Sequence, residues 1–232
     1  NIHLFEGSGS LIKGYACGKD GLLLYTENSG DSWRQVSSRV TGLYKDIYFF
    51  SATTGLAIIE KDNTRGLYKT TNAGLDWDPL SATGEFYTSL YKGKECLAVG
   101  KNGLLQKISF DPLSGSLGAS YINAPAQVDL VSGSVTGNYL VVAGSGDKVY
   151  YTHMTSYPYT WSTYFTGGIA ASDSIVSMAL VNTSGNRLSG AFTTKSGKLY
   201  NLYKKNTDPV LYITQSNPSG VFTNVLVNKN IQ

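Results

Sequence analysis

Histidine, cysteine and methionine are scarce in this chain, each present twice among 232 residues, and charged residues make up only 15%. His3 and His153 have no second His, Cys or paired acid at ligand spacing, so no metal site and no nucleophile–His–acid constellation is readable. No cofactor is expected either, and both histidines read as surface residues. The formal charge of +3 is mild and no run of five or more basic residues appears, which argues against a nucleic-acid footprint. No apolar run approaches the roughly 20 residues that span a bilayer as a helix, so no membrane span is expected. The chain opens Asn1-Ile2-His3 without an initiator Met, which fits a removed leader as well as an excised fragment; export to a periplasmic, lumenal or extracellular space is the expectation.

What is abundant is glycine (26) and tyrosine (17), and hydrophobic residues reach 41%. Tight turns joined to aromatic strands are the natural use of that composition, in a chain apolar enough to bury a core. A degenerate repeat organises it. Gly18-Lys19-Asp20-Gly21-Leu22-Leu23 matches Gly100-Lys101-Asn102-Gly103-Leu104-Leu105, each after a small-apolar run (Gly14-Tyr15-Ala16-Cys17; Cys96-Leu97-Ala98-Val99). Asp-Gly and Asn-Gly between two β runs mark hairpins, because a primed turn needs positive φ at its central residues. Weaker copies lie at 60–66, 144–148 and 195–198, so Gly21, Gly66, Gly103, Gly146 and Gly197 serve as the turn glycines, at steps of roughly 37 to 51 residues.

That rhythm predicts an all-β fold: one β-propeller domain over 1–232, of four-stranded antiparallel blades, five most simply and six as the alternative. The blades fall at about 1–40, 41–82, 83–124, 125–168 and 169–216, with inner strands at 2–5, 46–50, 87–91, 128–132 and 175–180. A last strand at 221–228 is expected to pair with the N-terminal strand and remove two exposed edges; the rival is that it opens a sixth blade. Cys17 and Cys96 then sit on second strands two blades apart, too far for a disulfide, and read as two buried free thiols.

Two segments repeat a second motif. Thr26-Glu27-Asn28-Ser29-Gly30-Asp31-Ser32-Trp33 and Thr70-Thr71-Asn72-Ala73-Gly74-Leu75-Asp76-Trp77 share Thr-x-Asn-x-Gly-x-(Ser/Asp)-Trp, each after a Tyr-bearing strand. Thr and Asn side chains can bond nearby amides, Gly takes a conformation closed to other residues, and the Trp packs between blades. Traces persist at Ser109-Phe110-Asp111 with Gly115, and at Thr152 with Trp161. The motif resembles the Asp-box (BNR) repeat, with Asn where Asp is usual, found in sialidases, sortilin-type receptors, xyloglucanases and the photosystem II stability and assembly factor family. The first 110 residues resemble the assembly-factor propellers most in texture. The resemblance implies a structural role for Thr26, Asn28, Gly30, Trp33, Thr70, Asn72, Gly74 and Trp77, on outer turns away from ligands.

Enzyme readings find little support. A sialidase clamps a carboxylate with three arginines, whose guanidinium forks match it bidentately; here only Arg34, Arg39, Arg65 and Arg187 exist, and the first two fall in or after an outer strand. A glycosidase needs two inward carboxylates, one held protonated. Glu60, Asp46 and Asp129 are the best placed. Asn182-Thr183-Ser184 fits a glycosylation acceptor, a frequent chance match.

One pattern is more regular than the motifs. Every hairpin between second and third strands carries a lysine near its tip: Lys19, Lys61, Lys101, Lys148 and Lys195, with Arg65 and Lys198 beside two of them. Against Asp20, Asp62 and Asp147 that is seven positive charges to three negative. On the expected fold these turns share one face, where a surplus of charge steers an acidic partner. The sequence therefore points to a non-enzymatic module that binds another protein through an acidic segment. A carbohydrate-binding propeller, using the aromatic stretch 155–161, is the alternative, and a glycoside hydrolase the third.

Overall fold

The structure is a computed structural model and describes residues 1–6, 11–80, 84–92, 95–146, 148–155, 157–165, 169, 172–183, 187–204, 211–216 and 222. Apolar residues alternating along short segments, with glycine-bearing turns between them, produce five four-stranded antiparallel sheets. The first holds β1 (Ile2–Glu6), β2 (Ile12–Cys17), β3 (Leu23–Thr26) and β4 (Arg34–Gln35); the second β5 (Leu43–Phe49), β6 (Gly55–Lys61), β7 (Thr64–Thr70) and β8 (Asp78–Pro79). The third holds β9 (Phe86–Lys92), β10 (Glu95–Gly100), β11 (Leu105–Phe110) and β12 (Leu117–Tyr121). The fourth holds β13 (Leu130–Thr136), β14 (Tyr139–Gly144), β15 (Lys148–His153) and β16 (Trp161–Phe165); the fifth β17 (Ile175–Thr183), β18 (Arg187–Thr194), β19 (Leu199–Lys204) and β20 (Leu211–Gln215). Each sheet is a meander in chain order, the blade of a β-propeller.

By contact the chain divides into two compact units, Asn1–Ser89 with Gly93–Gly100 and Gln106–Tyr121, and Leu90–Lys92 with Lys101–Leu105 and Ile122–Gln232. In the first, one face of the first sheet packs on the second. Tyr15, Leu23 and Tyr25 bury against Tyr44, Ile47, Phe49, Ala57, Ile59 and Trp77, and the rings of Tyr15 and Phe49 stack 3.6 Å apart between centroids. In the second unit, Tyr139, Val141, Ala143 and Val149 bury against Met178, Leu180, Leu188, Phe192, Tyr200 and Leu202.

Register matches between the first two sheets. Ile2, Ala16 and Leu24 lie across one row, as Ile47, Ala57 and Tyr68 do; Leu4, Gly14 and Thr26 lie across the next, as Phe49, Gly55 and Thr70 do. A bulge recurs near the start of the inner strand in three sheets, between Tyr44 and Asp46, Leu130 and Ser132, and Ile175 and Ser177. Repeated bulges at one register mark equivalent elements and re-aim the extra residue.

Three sequence expectations change. Gly66 is not a turn residue: it sits inside β7 opposite Ile59, and the hairpin turns at Asp62 and Asn63, both at positive φ (51° and 61°). Asp and Asn tolerate that region, so the turn needs no glycine. Gly21, Gly103, Gly146 and Gly197 do take positive φ at their turns. His3 is not a surface residue. Its Nδ1 accepts the Phe49 amide at 3.1 Å, its ring lies 4.2 Å from that of Tyr48, and burial lowers its pKa to about 4. Cys96 is buried and Cys17 half-buried, both as free thiols; burial pushes the Cys17 thiol up to about 11. The expected closing strand at 221–228 lies, apart from Phe222, outside the described residues.

Candidate functional site

The hairpins that carry the lysines are fixed through their backbones. The turn at Asp20 and Gly21 takes φ of 55° and 72°, and the Gly21 amide donates to Gly42 O at 2.8 Å while Tyr44 N donates to Gly18 O at 3.3 Å. A Cβ at Gly21 would come within 2.8 Å of Val40 O, so glycine is required twice over. The turn of the first sheet is thereby locked onto the loop that leads into the second. Between them lies an open groove of about 500 Å³, lined by Lys19, Asp20, Thr41, Gly42 and Leu43.

Lys61 ends β6 and its carbonyl accepts the Thr64 hydroxyl at 2.8 Å. Arg65, on β7, is held: its Nε donates to Glu60 Oε2 at 2.6 Å and its guanidinium carbon lies 5.4 Å from the centroid of the Tyr87 ring. Lys45, the bulged residue, comes within 3.9 Å of the same carboxylate. Arg65 also lines a second groove of about 470 Å³ with Thr64, Gly66, Leu67, Tyr68, Pro79, Gly84 and Glu85. In this unit the structure thus brings Lys19, Lys61 and Arg65 to neighbouring turns and adds Lys45 and Glu60, one charge of each sign. The sequence missed Lys45 because nothing in its spacing announces a bulge.

In the second unit, Lys101 opens a single 3-10 turn, Lys101–Gly103, whose Asn102 amide donates to Asp129 Oδ1 at 3.0 Å and whose Gly103 amide donates to Val128 O at 2.6 Å. Lys148 opens β15. Lys195 N donates to Ser174 O at 2.8 Å, and the Ser196 amide and hydroxyl both bond Asp173, at 3.0 and 2.5 Å. Burial raises the Asp173 pKa, but the Ser196 and Thr194 hydroxyls, the Ser196 amide and the Lys198 charge outweigh it, and the net shift is downward.

The carboxylates proposed for hydrolysis have structural partners. Asp46 is buried in β5; its Oδ2 accepts the Ser89 amide at 2.8 Å and the Ser89 hydroxyl at 2.5 Å, and its Oδ1 accepts the Ile47 amide at 3.0 Å and the Asn1 side-chain amide. It ties the inner strands of the second and third sheets together. Asp129 holds Asn102, as above. The Glu60 pKa is lowered: the Arg65 hydrogen bond is the largest cause and outweighs the opposing desolvation, and the Arg65 and Lys45 charges add to it. A general acid needs the opposite shift. The arginines are dispersed: Arg34 lies over the Tyr25 ring at 4.7 Å, Arg39 pairs with Asp76 at 2.7 Å, and Arg65 with Glu60. Among the described residues no three His, Cys, Asp or Glu side chains cluster in a way that could hold a metal.

The two Thr-x-Asn-x-Gly turns fold alike, at the opposite ends of the third strands. Thr26 Oγ1 accepts the Gly30 amide at 3.0 Å and Asn28 Oδ1 accepts the Ser32 amide at 3.0 Å; Thr70 and Asn72 receive Gly74 at 3.0 Å and Asp76 at 2.9 Å. Trp77 Nε1 donates to Gly74 O at 3.1 Å and its ring is buried in the interface of the first two sheets, as expected. Trp33 is only half-buried and lies outside that cluster. In the aromatic stretch, Tyr157 is 64% exposed, while Asn123 holds the Tyr159 backbone through bonds of 3.0 and 2.7 Å.

Sheets of this form, repeated five times, define the β-propeller class. A scan against protein-family models finds no match, and a search of curated proteins finds none. Solved structures are similar in fold. "YCF48 bound to D1 peptide" matches with a TM-score of 0.60 and 18% identity over 90% of this chain and 64% of that one. "YCF48 from Cyanidioschyzon merolae" matches at 0.59 and 12% over 88% and 66%, and the WD40 repeats of RRP9 at 0.62 and 9% over 92% and 66%. The chain spans about two thirds of the length of these structures.

Proposed function

We propose that this chain is a protein-binding module and that the turn between the second and third strands of each blade presents cations to an acidic segment of the partner. The similarity in fold to a propeller solved with a bound peptide supports a peptide-binding reading. The observation that carries it is the groove beside Lys19: its walls are immobilised by backbone bonds at Gly21 and Tyr44, while the Lys19 and Lys61 ammonium groups have no ion-pair partner among the described residues. A fixed groove with an uncommitted cation in its wall, and a second on the next hairpin, binds a carboxylate-bearing chain with little ordering cost. On this reading Lys19, Lys61 and Arg65 act in the first unit, and Lys101, Lys148, Lys195 and Lys198 play the same part on their own turns. The two Thr-x-Asn-x-Gly turns are Asp-box repeats of structural use only, a reading supported by their shared hydrogen bonds.

The test is fluorescence anisotropy with a labelled Glu/Asp-rich peptide and its Gln/Asn counterpart. Binding should favour the acidic peptide, weaken as salt rises, and fall about ten-fold with Lys19→Glu plus Lys61→Glu. Equal affinity for the two peptides, or indifference to the double reversal, refutes the reading.

A further inference from the structure

The first sheet has a second face. Its odd-numbered inner residues, His3 and Phe5, turn with Tyr15 and Tyr25 toward the second sheet. The even-numbered ones, Ile2 and Leu4, turn the other way with Ile12 of β2. Ile2 is 62% exposed, Leu4 51% and Ile12 43%, and Leu11 beside them is 52% exposed. Single exposed apolar side chains are ordinary; a contiguous set on one sheet face marks an interaction surface.

The register says what kind of surface it is. Ile2, Ala16 and Leu24 occupy the row that Ile47, Ala57 and Tyr68 occupy in the second sheet, and Leu4 over Gly14 occupies the place of Phe49 over Gly55. The correspondence extends to packing detail. A Cβ on Gly14 would collide with the Leu4 side chain at 2.4 Å, and a Cβ on Gly55 with the Phe49 ring at 2.7 Å, so in both sheets a large inner-strand side chain lies flat over a glycine. In the second sheet these positions are an interface: Ile47, Phe49 and Ala57 are 0–1% exposed, covered by Tyr15, Leu23 and Tyr25.

We infer that the Ile2–Leu4–Ile12 face of the first sheet is a docking surface for a further four-stranded β-blade, one that presents aromatic and aliphatic side chains where the first sheet presents Tyr15, Leu23 and Tyr25. The match is to a sheet and not to an extended peptide. A peptide would add to a strand edge through its backbone, whereas these side chains stand perpendicular to the sheet and need a facing layer at sheet-packing distance, about 10 Å. The inference is independent of the acidic-peptide reading, which uses the turns.

The first sheet carries both faces, so its own sequence supplies the probe. Since Asn1 corresponds in register to Asp46, a second copy of residues 1–45 placed directly before Asn1 puts a Tyr15–Leu23–Tyr25 face against Ile2 and Leu4. The extended protein should melt higher by roughly 5 °C or more and bind an apolar dye such as ANS about two-fold less. Ile2→Lys with Leu4→Lys in the original copy should abolish both gains. In the unextended chain that same double substitution should lower dye binding and leave the melting temperature unchanged. No gain on extension, or a destabilised unextended variant, overturns the inference. So does a concentration-dependent dimer of the unextended chain, seen by sedimentation and dissolved by the two lysines, which would make a second copy the occupant.

Discussion

His3 should make the first sheet acid-labile. Its pKa is lowered by burial to about 4, against the ordinary value of 6.5, and its Nδ1 is committed as the acceptor for the Phe49 amide. The unfolded chain therefore binds a proton that the folded chain refuses at every pH between those values, so stability is complete above about 6.5 and is lost as the pH falls toward 4. At about pH 5 the unfolded imidazole is almost fully protonated and the folded one about one-tenth so, which corresponds to a loss of about 2 kcal/mol. His3→Asn keeps an acceptor for the Phe49 amide but cannot titrate. Urea unfolding at about pH 7.5 and 5, with slopes checked to be equal, should show the original protein losing about 2 kcal/mol more than the variant. Every other ionisable group is common to both proteins and cancels in the difference. Equal losses would refute the reasoning, because they would mean that His3 meets water in the folded state.

The two motif glycines should differ in cost. Gly30 and Gly74 share positive φ (94° and 83°), so alanine is strained at both, by about 1–2 kcal/mol; but a Cβ at Gly74 would also strike Leu23 of the neighbouring sheet at 2.4 Å, while at Gly30 the nearest atom is 3.8 Å away. Urea unfolding should therefore place Gly74→Ala about 1–3 kcal/mol below Gly30→Ala, and equal costs would mean that the second turn is not docked. Asp46→Ala should cost about 3 kcal/mol, since it strips the Ser89 amide and hydroxyl and the Ile47 amide of an acceptor in a buried place; a fully stable variant would reopen a role for this carboxylate other than structural. Trp77→Ala should cost about 3–5 kcal/mol and Trp33→Ala much less, in keeping with their different burial.

The blade rhythm was legible because its cause is local: Asp-Gly and Asn-Gly turns, alternating strands and the Thr-Asn-Gly bonds all lie within a few residues of each other. Gly66 shows the limit of that reading. Asp62 and Asn63 make the same turn by tolerating positive φ, so counting glycines shifted the hairpin by several positions. His3, Asp46 and Lys45 were misread or missed for another reason. The settings of His3 and Asp46 are built across sheets, by Phe49 and Ser89, and that of Lys45 by a bulge that brings it to Glu60 on the paired strand; no spacing along the chain encodes either.

The bonding of the two kinds of turn also bears on where function can reside. The Thr-Asn-Gly turns spend their side chains on their own amides, and the second is further bound to the preceding sheet through Arg39, which pairs with Asp76 and whose amide donates to Leu75 O at 2.9 Å. Replacing those side chains removes fold stability. The lysine-bearing turns meet the same demand with main-chain bonds, Gly21 to Gly42 and Gly103 to Val128, with Asp129 and Asp173 assisting from the inner-strand side. Lys19 takes part in its own turn only through its carbonyl, which accepts the Leu22 amide at 2.9 Å, so the charge of its side chain can be reversed without touching the bonds that shape the groove. That separation lets Lys19→Glu report on binding alone, and an unchanged unfolding midpoint in that variant is the condition for reading its peptide affinity as a property of the surface.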